Sequence, residues 1–309
     1  MEINNSAIIT DNLSKKYGKI HAVKNLNIEI RKGEIFSLLG TNGAGKTTTI
    51  KMLSCILTPS SGDASVMGFH INNHPQKIKE IIGVSPQETA VAEHLNTYEN
   101  LLLMGGVCGL SKTESKNRAR DLMKLIELED RTDQARKLSG GLQRRLSMAM
   151  ALMSDPQVLF LDEPTLGLDP HARKSVWDYI ERLKGEKTIF LTTHYLEEAD
   201  ALADHIAIMD NGEIIEHGTS HELKRKYRKY QTLNISAKNI SMRLIENLKE
   251  KGIDIKQTSN GIELKAEELD FYSIVDVLHS ENIKIDGIKM QEPTLNDVFI
   301  YLTGKHLEA

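Results

Sequence analysis

Residues 40–47 read GTNGAGKT, a loop of the pattern GxxxxGK[ST] set directly after an apolar run and before the helical stretch TTIKMLSC. That pattern binds phosphate. Its glycines let successive backbone N–H groups turn toward phosphate oxygens, and the helix that follows adds the positive end of its dipole. Asn42, Gly43 and Gly45 in the loop, with Lys46, Thr47 and Thr48 at the helix start, are therefore the candidate nucleotide contacts. Lys46 has the reach for β- and γ-phosphates, and the Thr47 hydroxyl suits a magnesium ion. A glycine-rich turn without a ligand is the plain alternative, and the placement between strand and helix argues against it.

Two adjacent carboxyl groups, Asp162 and Glu163, end a second apolar run, VLFLDEP at 158–164. Neighbouring side chains on an extended chain point in different directions, so the two take separate jobs. Asp162 suits the magnesium shell, and Glu163 is left to orient or deprotonate an attacking water. Acidic residues also end strands as simple caps; the phosphate loop upstream favours the chemical role. His194 closes a third run, TIFLTTH at 188–194, where a ring nitrogen would meet a γ-phosphate oxygen, against the plain reading of a structural histidine. LSGGLQRR at 138–145 is another loop leading into a helix, and its Ser139, Gly140 and Gly141 offer a hydroxyl and free backbone donors. One phosphate loop gives a chain little reason to carry a second anion site, unless each site completes the other's pocket in a dimer.

With these segments in this order, residues 1 to about 225 resemble the ATP-binding-cassette (ABC) family. The resemblance implies the P-loop NTPase cassette fold, ATP and Mg2+ as ligands, and hydrolysis driven by dimerisation, with a second ATPase subunit, most simply an identical one. It also implies a separate transmembrane permease and a place on the cytoplasmic face of the cell membrane. Tyr17, in KKYGKIHAV, matches the residue that stacks on adenine, and Gln87, in GVSPQE, matches the loop glutamine that contacts magnesium and the attacking water. GLD at 167–169, with Asp169, matches the loop that touches the other subunit's site; alone it would read as a turn. Where the commonest family signature has LSGGQ, this chain has Leu142 at the glutamine position and Gln143 one residue later. QEPTLNDVFIYLTGKHL at 291–307 resembles the ending of the bacterial drug-export, daunorubicin-resistance ATPases, in which the extra domain holds the dimer or regulates it.

The elements that must position these residues follow from periodicity. EIFSLLG at 34–40, QVLFLDE at 157–163 and KTIFLTTH at 187–194 are near-continuously apolar, as strands covered on both faces are, and each ends in polar or glycine residues. A mixed, mainly parallel sheet is expected, with one site at its carboxyl edge. AIITDNLS and VKNLNIEI around YGKIH predict a small antiparallel sheet, and the Asn-Gly of AIMDNGEIIEHG predicts a hairpin. Residues 88 to 155 turn to three-to-four spacing, which predicts a helical insert. HELKRKYRKY at 221–230 ends the cassette as a phosphate or lipid contact or as a solvated helix end. Beyond it, 231–309 read as a small α+β domain of the βαββαβ kind, with a helix ending at Lys251 and another at His279. Leu295, Val298, Phe299 and Leu302 share one face of a final helix, which fits simple docking equally well.

Composition narrows the function classes. Residues 1–230 hold 30 basic and 30 acidic side chains, and 231–309 hold 9 and 13, so no basic face calls for nucleic acid. Cys55 and Cys108 form no metal-like pair, which fits a reducing compartment. LLLMGGVCGL at 101–110 falls short of the roughly 18 to 20 apolar residues a membrane span needs. The N-terminus lacks a basic flank and an apolar signal core. TYENLLLMGG, within 85–106, is either core helix or the groove where the resemblance places a permease. The alternative is a soluble ABC-type ATPase acting on ribosomes or DNA, but the two cassettes, long coiled coil or zinc-finger cysteines of such proteins are missing. A GTPase would need an NKxD segment, and a small-molecule kinase has no use for LSGG.

Overall fold

The computed structural model describes residues 5–305 apart from 130, 228–230, 238–239, 251, 267–268, 282 and 292. The chain divides into two bodies, the first running through Ser220 and the second from His221 to Gly304. Lys251 and residues 228–230 of the basic run lie outside the described residues.

In the first body β1 (Ser6–Tyr17), β2 (Ile20–Leu26) and β3 (Glu29–Arg31) begin an antiparallel sheet, which β5 (Ser61–Val66) and β6 (Phe69–His70) complete around β1. Between them run β4 (Ile35–Gly40) and α1 (Lys46–Leu53). Next come α2 (Pro75–Ile81) and β7 (Ile82–Ser85), then the helical insert of α3 (Thr97–Val107), α4 (Lys112–Leu125) and α5 (Gly140–Ala151). Asn96 and Ser111 open α3 and α4 as capping boxes with Glu99 and Glu114, satisfying backbone donors that a helix start leaves free. The core returns in β8 (Val158–Asp162), α6 (Pro170–Arg182), β9 (Thr188–Thr193), α7 (Leu196–Leu202), β10 (His205–Asp210) and β11 (Glu213–Gly218), and α8 (Ser220–Lys226) begins on Ser220, where the division falls.

The core sheet has the order β11-β10-β4-β9-β8-β7, parallel except for β11. Every residue of β4, β8 and β9 is buried, as the unbroken apolar runs predict. Phe36, Phe160 and Phe190 meet across these strands, with ring centroids 5.5 and 5.7 Å apart. The β10–β11 hairpin turns on Asn211 and Gly212, both with positive φ (49° and 85°), which is the geometry Asn-Gly favours. In-register pairing therefore brings the ends of β4, β8 and β9 to one edge of the sheet, carrying Gly40, Asp162 and Thr193.

The second body runs β12 (Gln231–Ala237), α9 (Met242–Glu250), β13 (Asp254–Thr258), β14 (Gly261–Ala266), α10 (Phe271–Ser280) and β15 (Ile285–Gln291), then α11 (Leu295–Thr303). Its strands pair antiparallel in the order β13-β14-β12-β15, the βαββαβ arrangement read from the sequence. Leu233, Ile235, Ile262, Leu264, Ile274 and Leu278 form its core. Thr294 caps α11 reciprocally with Asp297, and Leu295, Val298 and Phe299 are buried, whereas Leu302 is half-buried. The division at residue 220 falls before the 225–231 junction expected from sequence, so α8 beyond Ser220 belongs to the second body.

Candidate functional site

The loop between β4 and α1 is shaped by backbone that only glycine tolerates. Gly45 has φ 112°, and a Cβ there would lie 2.3 Å from the Ala22 carbonyl oxygen; Gly43 has φ 82°. At the loop's start, a Cβ on Gly40 would lie 2.4 Å from the Met209 carbonyl oxygen. The loop thus wraps against β2 and β10, and a cavity of about 310 Å³ opens beside it. Residues 42–48, Ala22, Gln87 and Glu163 line that cavity. Seven of the residues named from sequence, Asn42, Gly43, Gly45, Lys46, Thr47, Thr48 and Gln87, are therefore brought together with an eighth, Glu163.

Lys46 is buried, only 5% exposed, and its ammonium donates to the carbonyls of Gly40 (2.8 Å) and Thr41 (3.2 Å) and pairs with Glu163 Oε1 at 2.9 Å. Glu163 Oε2 lies 2.6 Å from His194 Nδ1. Lys46, Glu163 and His194 thus form one buried chain of charge-assisted contacts. Burial pushes the Glu163 carboxyl up, but the hydrogen bond with His194 and the Lys46 ammonium more than offset it and hold it below the ordinary carboxylate range. Glu163 is accordingly an anion at neutral pH. Its backbone is left-handed, φ 48°, and its N–H donates to Thr192, both to the carbonyl and to Oγ1, each at 3.1 Å.

Asp162 points the other way. Its Oδ1 accepts from the hydroxyls of Thr192 (2.6 Å) and Thr47 (3.1 Å). A carboxylate beside a hydroxyl at the cavity's edge is an all-oxygen donor set, which fits Mg2+ because that ion takes one or two protein ligands and completes its shell with phosphate oxygens and water.

Other candidates lie elsewhere. Tyr17, 49% exposed at the end of β1, has Lys15 Nζ 5.4 Å from its ring centroid. Ser139 is the N-cap of α5, exposed and making no side-chain capping bond, and Gly140 is exposed next to it. Gly141 is buried, and a Cβ there would lie 2.9 Å from the Ala172 Cβ of α6, so its small size serves packing within the chain. Asp169 Oδ1 caps α6 by accepting from His171 and Ala172 N–H, both at 3.0 Å. Gln143, one position past the family's glutamine, donates its side-chain amide to the carbonyls of Ala135 (3.0 Å) and Leu138 (3.2 Å). None of Tyr17, Ser139, Gly140, Gly141 and Asp169 lines the cavity beside the loop.

Two side chains escaped the reading of the sequence. Arg144, on the buried face of α5, donates to the backbone carbonyls of Asp162 (2.7 Å), Pro164 (2.9 Å), Gln87 (3.2 Å) and Pro86. Burial lowers its guanidinium pKa to about 10, opposed by Asp162, Glu198 and Glu163, and it remains charged at neutral pH. One cation therefore ties the helix behind Ser139 to both loops that flank the cavity. Glu198, on α7, is the second. The available signal was periodicity, since Gly141, Arg144 and Ser147 recur on the face of α5 that carries its apolar residues. Arg144→Met keeps volume but strands these carbonyls, and a loss of about 2–4 kcal/mol of stability is expected by denaturant melting, with chain expression retained.

The sequence model of the family described as ABC transporter matches residues 23–166, and that of the ATP-binding protein DrrA1-3-like, C-terminal domain, matches 218–303. The Linearmycin resistance ATP-binding protein LnrL of Bacillus subtilis (strain 168) is 34% identical over 305 residues, covering 96% of this chain and 98% of that protein. The Daunorubicin/doxorubicin resistance ATP-binding protein DrrA of Streptomyces peucetius is 36% identical over 307 residues, covering 96% and 92%. Among solved structures, the dimeric post-hydrolysis state of the ATP-binding cassette MJ0796 bound to ADP and Pi aligns with a TM-score of 0.62 at 28% identity, covering 69% of this chain and 98% of that one. Relatives of this kind set aside the ribosome- or DNA-acting alternative, and no helix among the described residues is long and apolar enough to cross a membrane. With its phosphate loop, its buried Lys46–Glu163–His194 chain and relatives that match it nearly end to end, the chain belongs to the ABC transporter family, as one of its ATP-hydrolysing proteins.

Proposed function

We propose that two copies of this chain close face to face on two ATP molecules, each held between the phosphate loop of one copy and Ser139 and Gly140 of the other, and that hydrolysis lets them part. The observation that carries this reading is the split of the site. Residues 42–48 and Glu163 share one cavity, and Ser139 and Gly140, a helix start with free donors, are exposed and do not line it. A pocket missing one wall is completed by a second molecule carrying the same surface.

Within each site Lys46 meets the β- and γ-phosphates, exchanging the Glu163 carboxylate for a phosphate oxygen, and Tyr17 stacks on adenine. Thr47, Asp162 and Gln87 would hold Mg2+, which would supply charge neutralisation to the phosphates. Glu163, an anion freed from Lys46, orients and deprotonates the attacking water. His194 donates a ring N–H to a γ-phosphate oxygen. Asp169, at the start of α6, faces the other copy.

The motion powers export through a separate permease at the cytoplasmic face of the membrane. Leu103 and Val107, 50% and 72% exposed on α3, give that permease an apolar surface on the helical insert. The relatives named for drug resistance support an exporter, and the domain from 231 onward serves to hold or regulate the dimer. An adjacent open reading frame for a multi-span membrane protein would identify the partner.

Shared sites make turnover depend on pairing. Specific ATPase activity is expected to fall as the purified chain is diluted, and to do so in step with the loss of dimer in sedimentation at saturating ATP. Activity that stays constant in a chain that remains monomeric would rule the face-to-face reading out.

A further inference from the structure

Glu198 is fully buried, with 0% of its surface exposed, and it lies outside the phosphate cavity. Its Oε1 accepts two hydrogen bonds, from the Thr165 hydroxyl at 2.8 Å and from the Trp177 indole N–H at 3.0 Å. Thr165, also 0% exposed, stands two residues after Glu163, whose left-handed backbone is strained for a non-glycine residue. Such a conformation persists only where its surroundings over-determine it. Thr192 holds the Glu163 N–H, and Arg144 holds the carbonyls on either side, at Asp162 and Pro164. Glu198 holds the next residue, and Trp177 joins that anchor to the middle of α6.

We propose that Glu198 is a positioning residue for hydrolysis, fixing the 163–165 turn through Thr165 and so holding the Glu163 backbone in the conformation that aims its carboxylate. This rests on the reading of Glu163 as the group that activates water. Burial pushes the Glu198 carboxyl up and nearby Glu163 adds to the push, while Thr193, Thr165 and Trp177 pull the other way and the Arg144 guanidinium faces the same interior. A glutamine keeps the accepting oxygen that Thr165 and Trp177 use. α7 therefore contributes to the site from behind, through a residue that never touches nucleotide.

The test compares Glu198→Ala, Glu198→Gln and Thr165→Val in the full-length chain, measuring kcat, KM and ATP affinity. Glu198→Ala and Thr165→Val are expected to lower kcat by about tenfold to a hundredfold, the scale on which small misplacements of a reacting group act, with ATP affinity within about twofold. Glu198→Gln should stay within about threefold of the parent, and adding Glu198→Ala to Glu163→Gln should lower the residual rate no further, because the group being positioned is already gone. Thr165→Val, which keeps side-chain volume, decides the matter where Glu198→Ala folds poorly. Full kcat in Thr165→Val, or a fall in Glu198→Gln as deep as in Glu198→Ala, would overturn the proposal. If Glu163→Gln itself left turnover intact, the reading of Glu163 would fail instead, whatever Glu198 did.

Discussion

Glu163→Gln is expected to lower ATP turnover by about two orders of magnitude or more, the scale of a lost general base, while ATP binding stays at least as tight as in the parent chain. The second half follows from geometry. Lys46 is held at 2.9 Å by Glu163 Oε1, so binding a phosphate there must displace a buried carboxylate from a buried ammonium. Glutamine keeps the shape and removes that competitor, and Lys46 retains the Gly40 and Thr41 carbonyls. The ammonium then finds its full charge partner only in the nucleotide. Phosphate release measured beside equilibrium binding of ATP separates the two effects. Turnover near that of the parent would remove Glu163 from the reaction, and weakened binding would mean that the Lys46–Glu163 pair builds the loop rather than competes for it.

What the sequence disclosed, and what it withheld, follows from the range of the interactions involved. The phosphate loop, the Asn211-Gly212 hairpin and the buried core strands are local patterns, because glycine conformation, turn chemistry and apolar runs are written within a few consecutive residues. The meeting of Lys46, Glu163 and His194 was also within reach, since each follows or ends a strand run and parallel strands in register align their carboxyl ends. Arg144 and Glu198 were different. A charged residue on an otherwise apolar helix face reads as a solvated exception until its partners are known. Those partners lie far along the chain: Pro86 is 58 residues from Arg144, and Thr165 is 33 residues from Glu198. Gly141 carries a constraint that the sequence did not show, since a side chain there would press on Ala172 within the same molecule.

That packing decides how the shared site should be probed. A side chain at Gly141 would press on α6 within its own molecule, so a loss of activity there would not distinguish a folding defect from a missing contact between copies. Ser139 is exposed and its hydroxyl makes no capping bond, so Ser139→Ala should change stability by no more than about 0.5 kcal/mol. Turnover is nonetheless expected to fall by about two orders of magnitude, as when one donor to a developing negative charge is removed, with ATP affinity of the dilute monomer unchanged. Mixing gives the sharper result. A dimer of one Ser139→Ala chain and one Glu163→Gln chain has one site with both defects and one with neither, because the Glu163 of the first chain faces the Ser139 of the second. Equal amounts of two nearly inactive proteins should therefore recover about a quarter of the parent rate, the share set by random pairing across a twofold axis. If each chain instead completed its own site, the mixture would show only the mean of its two inactive parts.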